Sequence, residues 1–180
     1  MFNQTMWFDS PTGAKLAYHH QPAGKHGRAI LLICHGLAEH SRRYEEFATF
    51  MSDHGFHVYA HDHRGHGQTT APDAPLGRFA DRDGVRKVLN DVSAMRDFAA
   101  GRHRGLPIFL FGHSMGGLIA LNAAVDQPDK YDALSIWNSN FHPGPAGRMA
   151  QCVLLAERAL KGADVPSTIL PTSEMLPWGG

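Results

Sequence analysis

The chain has 180 residues, 43% hydrophobic and 19% charged, which describes an ordinary globular protein with one core and enough length to bury about 70% of its unfolded surface. Seventeen basic residues balance seventeen acidic ones, so no net field draws it to nucleic acid or to an anionic membrane. The two cysteines lie far apart, one inside an apolar run, which suggests neither a disulfide framework nor a zinc pair. The opening residues lack the basic and apolar regions of a secretion signal, and no stretch approaches the ~20 apolar residues of a membrane span. A cytoplasmic, reduced protein is the expectation.

In chain order, Phe2 to Asp9 and Ala14 to His20 read as two strands joined by a Ser10-Pro11-Thr12-Gly13 turn. After a loop from Gln21 to Gly27, Ala29 to Cys34 is a continuous apolar run, the pattern of a parallel strand buried on both faces. It empties into His35-Gly36-Leu37. Tyr44 to His54 places Phe47, Ala48, Phe50 and Met51 at helical spacing and is stopped by Gly55. Phe56 to Ala60 is the next strand, followed by a histidine-rich segment, His61 to Gly67, and a polar loop to Phe79. Asp83 to Ala100 carries a helical stripe of Val85, Val88, Leu89, Val92, Met95 and Phe98, closed by Gly101. The apolar run Ile108 to Phe111, a helix from Met115 and a strand from Ala133 to Trp137 complete a β-α-β pattern. The expected architecture is α/β: a short antiparallel start, then a mostly parallel sheet with helices on both faces.

The stretch with the most chemistry is Gly112-His113-Ser114-Met115-Gly116. A serine flanked by glycines at minus two and plus two, between a strand and a helix, is the pattern of a nucleophile elbow. The serine must take a strained positive φ while strand and helix cross closely, and a Cβ on Gly112 or Gly116 would clash. Ser114 is therefore the candidate nucleophile. Active sites in such sheets lie at the carboxyl ends of the strands, where His35-Gly36-Leu37, the His61 to Gly67 segment and the elbow converge.

On these residues the chain resembles the α/β-hydrolase superfamily, and within it the monoacylglycerol lipase and lysophospholipase branch grouped with serine aminopeptidase-type hydrolases. The matching segments are HGLAEHSRRYEEFATFMSDHGFHVYAHDHRGHGQT, His35 to Thr69, and GHSMGG, Gly112 to Gly117. Weaker similarity extends from about Thr5 to Asn140. The resemblance implies a serine carboxylic-ester hydrolase acting through an acyl-enzyme on a small lipid ester, such as a monoacylglycerol or lysophospholipid, with no cofactor or metal. It also implies an oxyanion hole made by the backbone N–H groups of Leu37 and Met115, their side chains lining the pocket. Gly112, His113, Gly116, His35 and Gly36 would support the elbow and the oxyanion loop, and His113 would be a poor base.

The resemblance further divides the chain into the N-terminal part of the core, residues 1–140, and the start of a cap or lid, residues 141–180. On this reading the chain stops before the last core strands and before the triad's acid and histidine, so that alone it is inactive. Two rivals share the fold: an inert pseudo-hydrolase that binds without turnover, and a peptidase or other acyl hydrolase. A metal hydrolase is a third rival, because His61-x-His63-x-x-His66 has metal-ligand character. The alternative role for Asp62, His63 and His66 is to hold their own loop by side-chain to backbone hydrogen bonds. In the tail, Pro143 to Gly147 breaks the pattern and Arg148 to Lys161 reads as a helix with Met149, Cys152, Val153, Ala156, Ala159 and Leu160 in one stripe. This helix either packs on the core or forms a lid facing acyl chains or a membrane surface. Pro166 to Gly180 is expected to be weakly ordered, and the oligomeric state is left open.

Overall fold

The computed structural model describes residues 2–24, 26–142 and 144–162. The chain divides into two compact units, Met1–Ser139 and Asn140–Gly180. The first holds one six-stranded sheet in the order β1-β2-β4-β3-β5-β6. Its strands are β1 (Met6–Asp9), β2 (Lys15–Gln21), β3 (Ala29–Cys34), β4 (Phe56–His61), β5 (Ile108–His113) and β6 (Ala133–Trp137). β1 and β2 form the expected antiparallel hairpin, and β2 runs antiparallel to β4. From β4 through β3 and β5 to β6 every pairing is parallel.

The apolar run of β3 is buried throughout because alternate side chains feed two cores. Ile30, Leu32 and Cys34 join Leu110 beneath α2 (Gly84–Arg102) and α3 (Met115–Asp126), which contribute Val88, Val92, Met95, Ile119 and Ala120. Leu31 and Ile33 face the opposite side, with Val58, Phe111 and Ala48 of α1 (Glu45–Asp53). Helices therefore cover both faces, as the pattern requires.

Several boundaries differ from expectation for local reasons. The first strand begins at Met6 instead of Phe2, because Phe2 folds back into the second core, lies tilted against His19 with ring centroids 5.3 Å apart, and donates its amide to Gln21 Oε1 at 3.0 Å. β5 extends through Gly112 and His113, since these residues still pair with Cys34 and Trp137. α2 continues through Gly101 to Arg102.

In the second unit a helix, α4, spans Gly144–Lys161 and so starts four residues before the expected Arg148. Pro145 is no obstacle, because a proline in the first turn lacks only an N–H that has no intrahelical acceptor there. Met149, Leu154, Leu155 and Leu160 of this helix are exposed. Pro143 and the segment 166–180 lie outside the described residues. Among the described residues, no helix is long and apolar enough to cross a membrane.

Candidate active site

Ser114 sits between the last residue of β5 and the first of α3 with φ 52° and ψ −120°, a backbone conformation costly for any side-chain-bearing residue. Its surroundings hold it there. The Ser114 amide donates to Trp137 O at 3.0 Å, and Ser114 O accepts from Ser139 Oγ at 2.8 Å and from the Gly117 amide at 3.0 Å. The Ser114 hydroxyl does not cap the helix that follows it, which leaves it free for other chemistry. A Cβ on Gly112 would stand 2.6 Å from Gly117 Cα, and one on Gly116 would stand 2.5 Å from His35 O, both against backbone that cannot turn aside.

Pairing of Cys34 with Gly112 sets the 35–37 loop beside this turn. Met115 is the first residue of α3, where amides have no intrahelical acceptor. Its side chain packs against the larger core, and that of Leu37 is 52% exposed. Surface hollows of about 440 and 570 Å³ are lined by residues of α2 and its N-terminal approach, with Asp126 at one and Pro11 and Thr12 at the other, and by none of the residues gathered at Ser114.

His35 is fully buried, and its bonds define its tautomer. Nε2 lies 2.9 Å from the His63 amide and must accept, so Nδ1 carries the proton toward Gly36 O at 2.7 Å. This ring ties the 35–37 loop to the 61–67 loop. Glu39 does more than its sequence position suggested. Its Oε1 accepts from the Gly36 amide at 2.5 Å, from Tyr44 Oη at 2.7 Å and lies 2.8 Å from His113 Nδ1. Burial pushes the Glu39 carboxyl up, but the bonds from His113, Tyr44 and Gly36 outweigh it and hold the group below its ordinary range. One carboxylate thus fastens the loop after β3 to the residue preceding Ser114. Glu39 and Tyr44 both lie within the HGLAEHSRRY segment, but nothing in their spacing shows that they meet.

The histidine-rich loop divides into three kinds of group. Asp62 holds it as expected: Oδ1 accepts from the Ser41 amide at 2.8 Å and Ser41 Oγ at 2.5 Å, and Oδ2 from the Gln68 amide at 2.7 Å. His66 Nδ1 approaches Arg64 O at 3.2 Å. His63 departs from expectation. Both of its ring nitrogens are buried without a partner, and only its main chain serves the loop, the amide donating to His35 Nε2 and the carbonyl accepting from the His66 amide. His61, His63 and His66 do not bring three ligand atoms together, so the metal-hydrolase pattern fails. Arg64, between them, is fully buried and reaches Asp91 Oδ2 at 2.9 Å, Phe79 O at 2.9 Å, Thr12 Oγ1 at 3.1 Å and Asp73 Oδ1 at 3.2 Å. Cys34 is equally enclosed, its thiol pushed up to about 12 by burial, and is chemically inert at neutral pH.

Burial lowers the pKa of His35, His61 and His63, and repulsion from neighbouring histidines adds to this, from His66 and His61 at His35 and from His35, His61 and His66 at His63. The neighbouring Asp62 opposes the shift at His35 and His61, as does Asp91 at His61. All three rings therefore bind protons more weakly in the folded protein than in the unfolded chain, whose histidines titrate near 6.5. Stability is complete above that pH and falls as pH drops from about 6.5 toward the folded-state values, each unit of depression withdrawing about 1.4 kcal/mol. The carboxyls of Asp62 and Glu39, held low, add to the loss only below about pH 4. Urea midpoints at pH 7.5, 6.0 and 5.0 should decline in that order; a midpoint constant across this range would contradict the assignment.

An antiparallel hairpin leading into a parallel sheet with helices on both faces, and a positive-φ serine at a glycine-flanked strand-to-helix turn, define an α/β-hydrolase core. A family model described as serine aminopeptidase, S33, matches residues 25–175, and the chain belongs to that family. Human monoglyceride lipase is 40% identical over 104 residues, which cover 58% of this chain and 32% of the lipase. The monoacylglycerol lipase of Mycolicibacterium smegmatis is 33% identical over 134 residues, covering 73% of this chain and 46% of that protein. A thermostable carboxyl esterase from Bacillus coagulans superposes with a TM-score of 0.74 at 25% identity, covering 97% of this chain and 56% of the esterase. The chain thus spans less than half the length of these two lipases.

Proposed function

We propose that this chain is part of a serine hydrolase that cleaves a carboxylic ester of a small lipid, with Ser114 as nucleophile. The observation that carries the reading is the backbone of Ser114, φ 52° and ψ −120°, at the start of α3 and beside the His35-Gly36-Leu37 loop. Strain of this kind persists only where the surrounding structure over-determines it, and it is concentrated at reactive sites. Ser114 Oγ attacks the ester carbonyl carbon, and the N–H groups of Leu37 and Met115 take the developing oxyanion. The alcohol leaves with a proton, and water then releases the acid from the acyl-enzyme. The similarity to monoglyceride lipases favours a monoacylglycerol or lysophospholipid over a peptide. Residues 141–180 would begin a cap or lid, the exposed apolar side chains of α4 being available to acyl chains or a membrane surface.

The proton acceptor is a separate matter. Among the described residues, His113 beside Glu39 is the histidine–carboxylate pair at the elbow, but neighbouring side chains in a tight turn point apart, and its ring bonds to Glu39 and not to the Ser114 hydroxyl. We assign the base and its carboxylate to the part of the hydrolase that this chain does not span. A protein lacking them keeps at most the ~10³–10⁴-fold residual acceleration of an oxyanion hole and binding site.

Intact mass before and after treatment with a fluorophosphonate tests the nucleophile. One adduct per chain, absent from Ser114→Ala, is the expected result when the complete triad is present. A complete protein that takes no adduct, or takes it equally in the variant, would leave an inert binding module as the reading.

A further inference from the structure

A second cluster of histidines lies away from this site, at the opposite end of the sheet. His20 is in β2, His57 in β4 and His103 immediately after α2. His57 is level with Ile30 and Ile30 with Ile108, which places it six residues, or about 20 Å along the strand direction, from the row of Ser114. Each of the three rings offers a nitrogen, and these nitrogens lie within 4.8 Å of one another.

We propose that His20, His57 and His103 form a binding site for one divalent transition-metal ion such as Zn²⁺ or Ni²⁺, separate from the hydrolytic centre and independent of the function proposed for it. Three observations carry this. First, the ligand chemistry is right: three neutral imidazoles suit zinc, nickel or copper, whereas calcium and magnesium require oxygen donors. Second, His20 Nε2 is buried and has no hydrogen-bond partner, an unmet polar atom facing a group that could be completed by an ion. Third, the cluster already has outer partners. Tyr59 Oη lies 2.8 Å from His103 Nε2, and the Tyr59 ring stacks on His20 at 4.1 Å and 17°. Such contacts orient ligating rings. With three protein ligands and partial exposure, a fourth position stays open to water or an anion.

Loading the site requires a definite rearrangement. The rings of His57 and His103 are stacked, with centroids 3.7 Å apart and 18° between planes, whereas an ion lies in the plane of each ligand ring. Tetrahedral ligation at about 2.0–2.1 Å brings donor atoms to about 3.4 Å of one another. His57 must therefore turn out of the stack. It must also give up the Ala23 amide, which donates to its Nδ1 at 3.1 Å, because a neutral ring ligating through one nitrogen carries its proton on the other and has no lone pair left to accept with.

Competition for Zn²⁺ and Ni²⁺ against a chromophoric chelator at pH 7.5, on protein without a polyhistidine tag, tests the site. One ion per chain is expected, with affinity reduced at least tenfold in His20→Asn, His57→Gln and His103→Gln. His54→Gln, a change at an exposed residue of the segment after α1, should leave it unchanged. Far-ultraviolet circular dichroism establishes that the variants fold. Should a variant not fold, two readouts on the unaltered chain still decide: a cobalt-loaded visible spectrum of tetrahedral nitrogen ligation, and faster hydrogen exchange at the Ala23 amide on loading. No stoichiometric ion, or an ion held equally by folded variants, would leave the cluster a neutral aromatic stack and overturn the proposal.

Discussion

Gly116→Ala should destabilise the fold by about 3 kcal/mol or more, at the upper end of what overpacking costs. The added Cβ would overlap the carbonyl group of Cys34 and stand 2.5 Å from His35 O. Neither atom belongs to a side chain that can rotate away. Relief requires α3 to move off the sheet, which would separate Ile119 and Ala120 from Leu32 and Leu110. The control is Gly101→Ala. That residue also lies in a helix, but its Cβ would meet nothing within 4 Å, so removing glycine there should stabilise the protein by up to about 1 kcal/mol. Urea unfolding of both variants measures the contrast. A Gly116→Ala protein as stable as the parent would show that strand and helix do not cross as closely as described.

Asp91→Ala should cost about 3–5 kcal/mol, because it leaves the buried guanidinium of Arg64 with only the longer contact to the partly exposed Asp73. Both side chains of the pair are wholly inaccessible. The carboxylate also accepts from Ser10 Oγ and Thr12 Oγ1, each at 2.5 Å, so its loss loosens the first hairpin turn as well as the 61–67 loop. The penalty comes from a buried charge left under-compensated and not from a missing attraction. Arg64→Met combined with Asp91→Leu should therefore recover a large part of the loss. Equilibrium unfolding of the single and double variants gives the comparison, and a double variant no more stable than Asp91→Ala would refute this account.

Much of the site's frame can be read locally. The elbow depends on residues two positions either side of Ser114; the clash that demands glycine at 112 arises from the turn itself, whereas that at 116 arises from the end of β3. β3 and β5 were legible because buried strands leave apolar runs, and α2 because its stripe repeats at 3.6 residues. The errors fall where a distant group intervened. Phe2 left the first strand for a place in the second core beside His19. His63 looked like a polar loop residue and is instead a buried ring with two unpartnered nitrogens.

Glu39 is the clearest case of a residue that no spacing could explain. It lies 74 positions from His113, and its value as a hub depends on β3 and β5 being neighbours in register. Arg64 and Asp91 are 27 apart in a loop and a helix, and the three histidines of the proposed ion site come from two strands and a helix end. The sequence by itself determined the α/β class, the two-sided burial of the central strands and the candidate nucleophile, because each follows from the periodicity or the sterics of contiguous residues. Only the tertiary structure decided which charged and ring side chains meet, since those contacts are made by strand order and register, which bring together residues that no local pattern links.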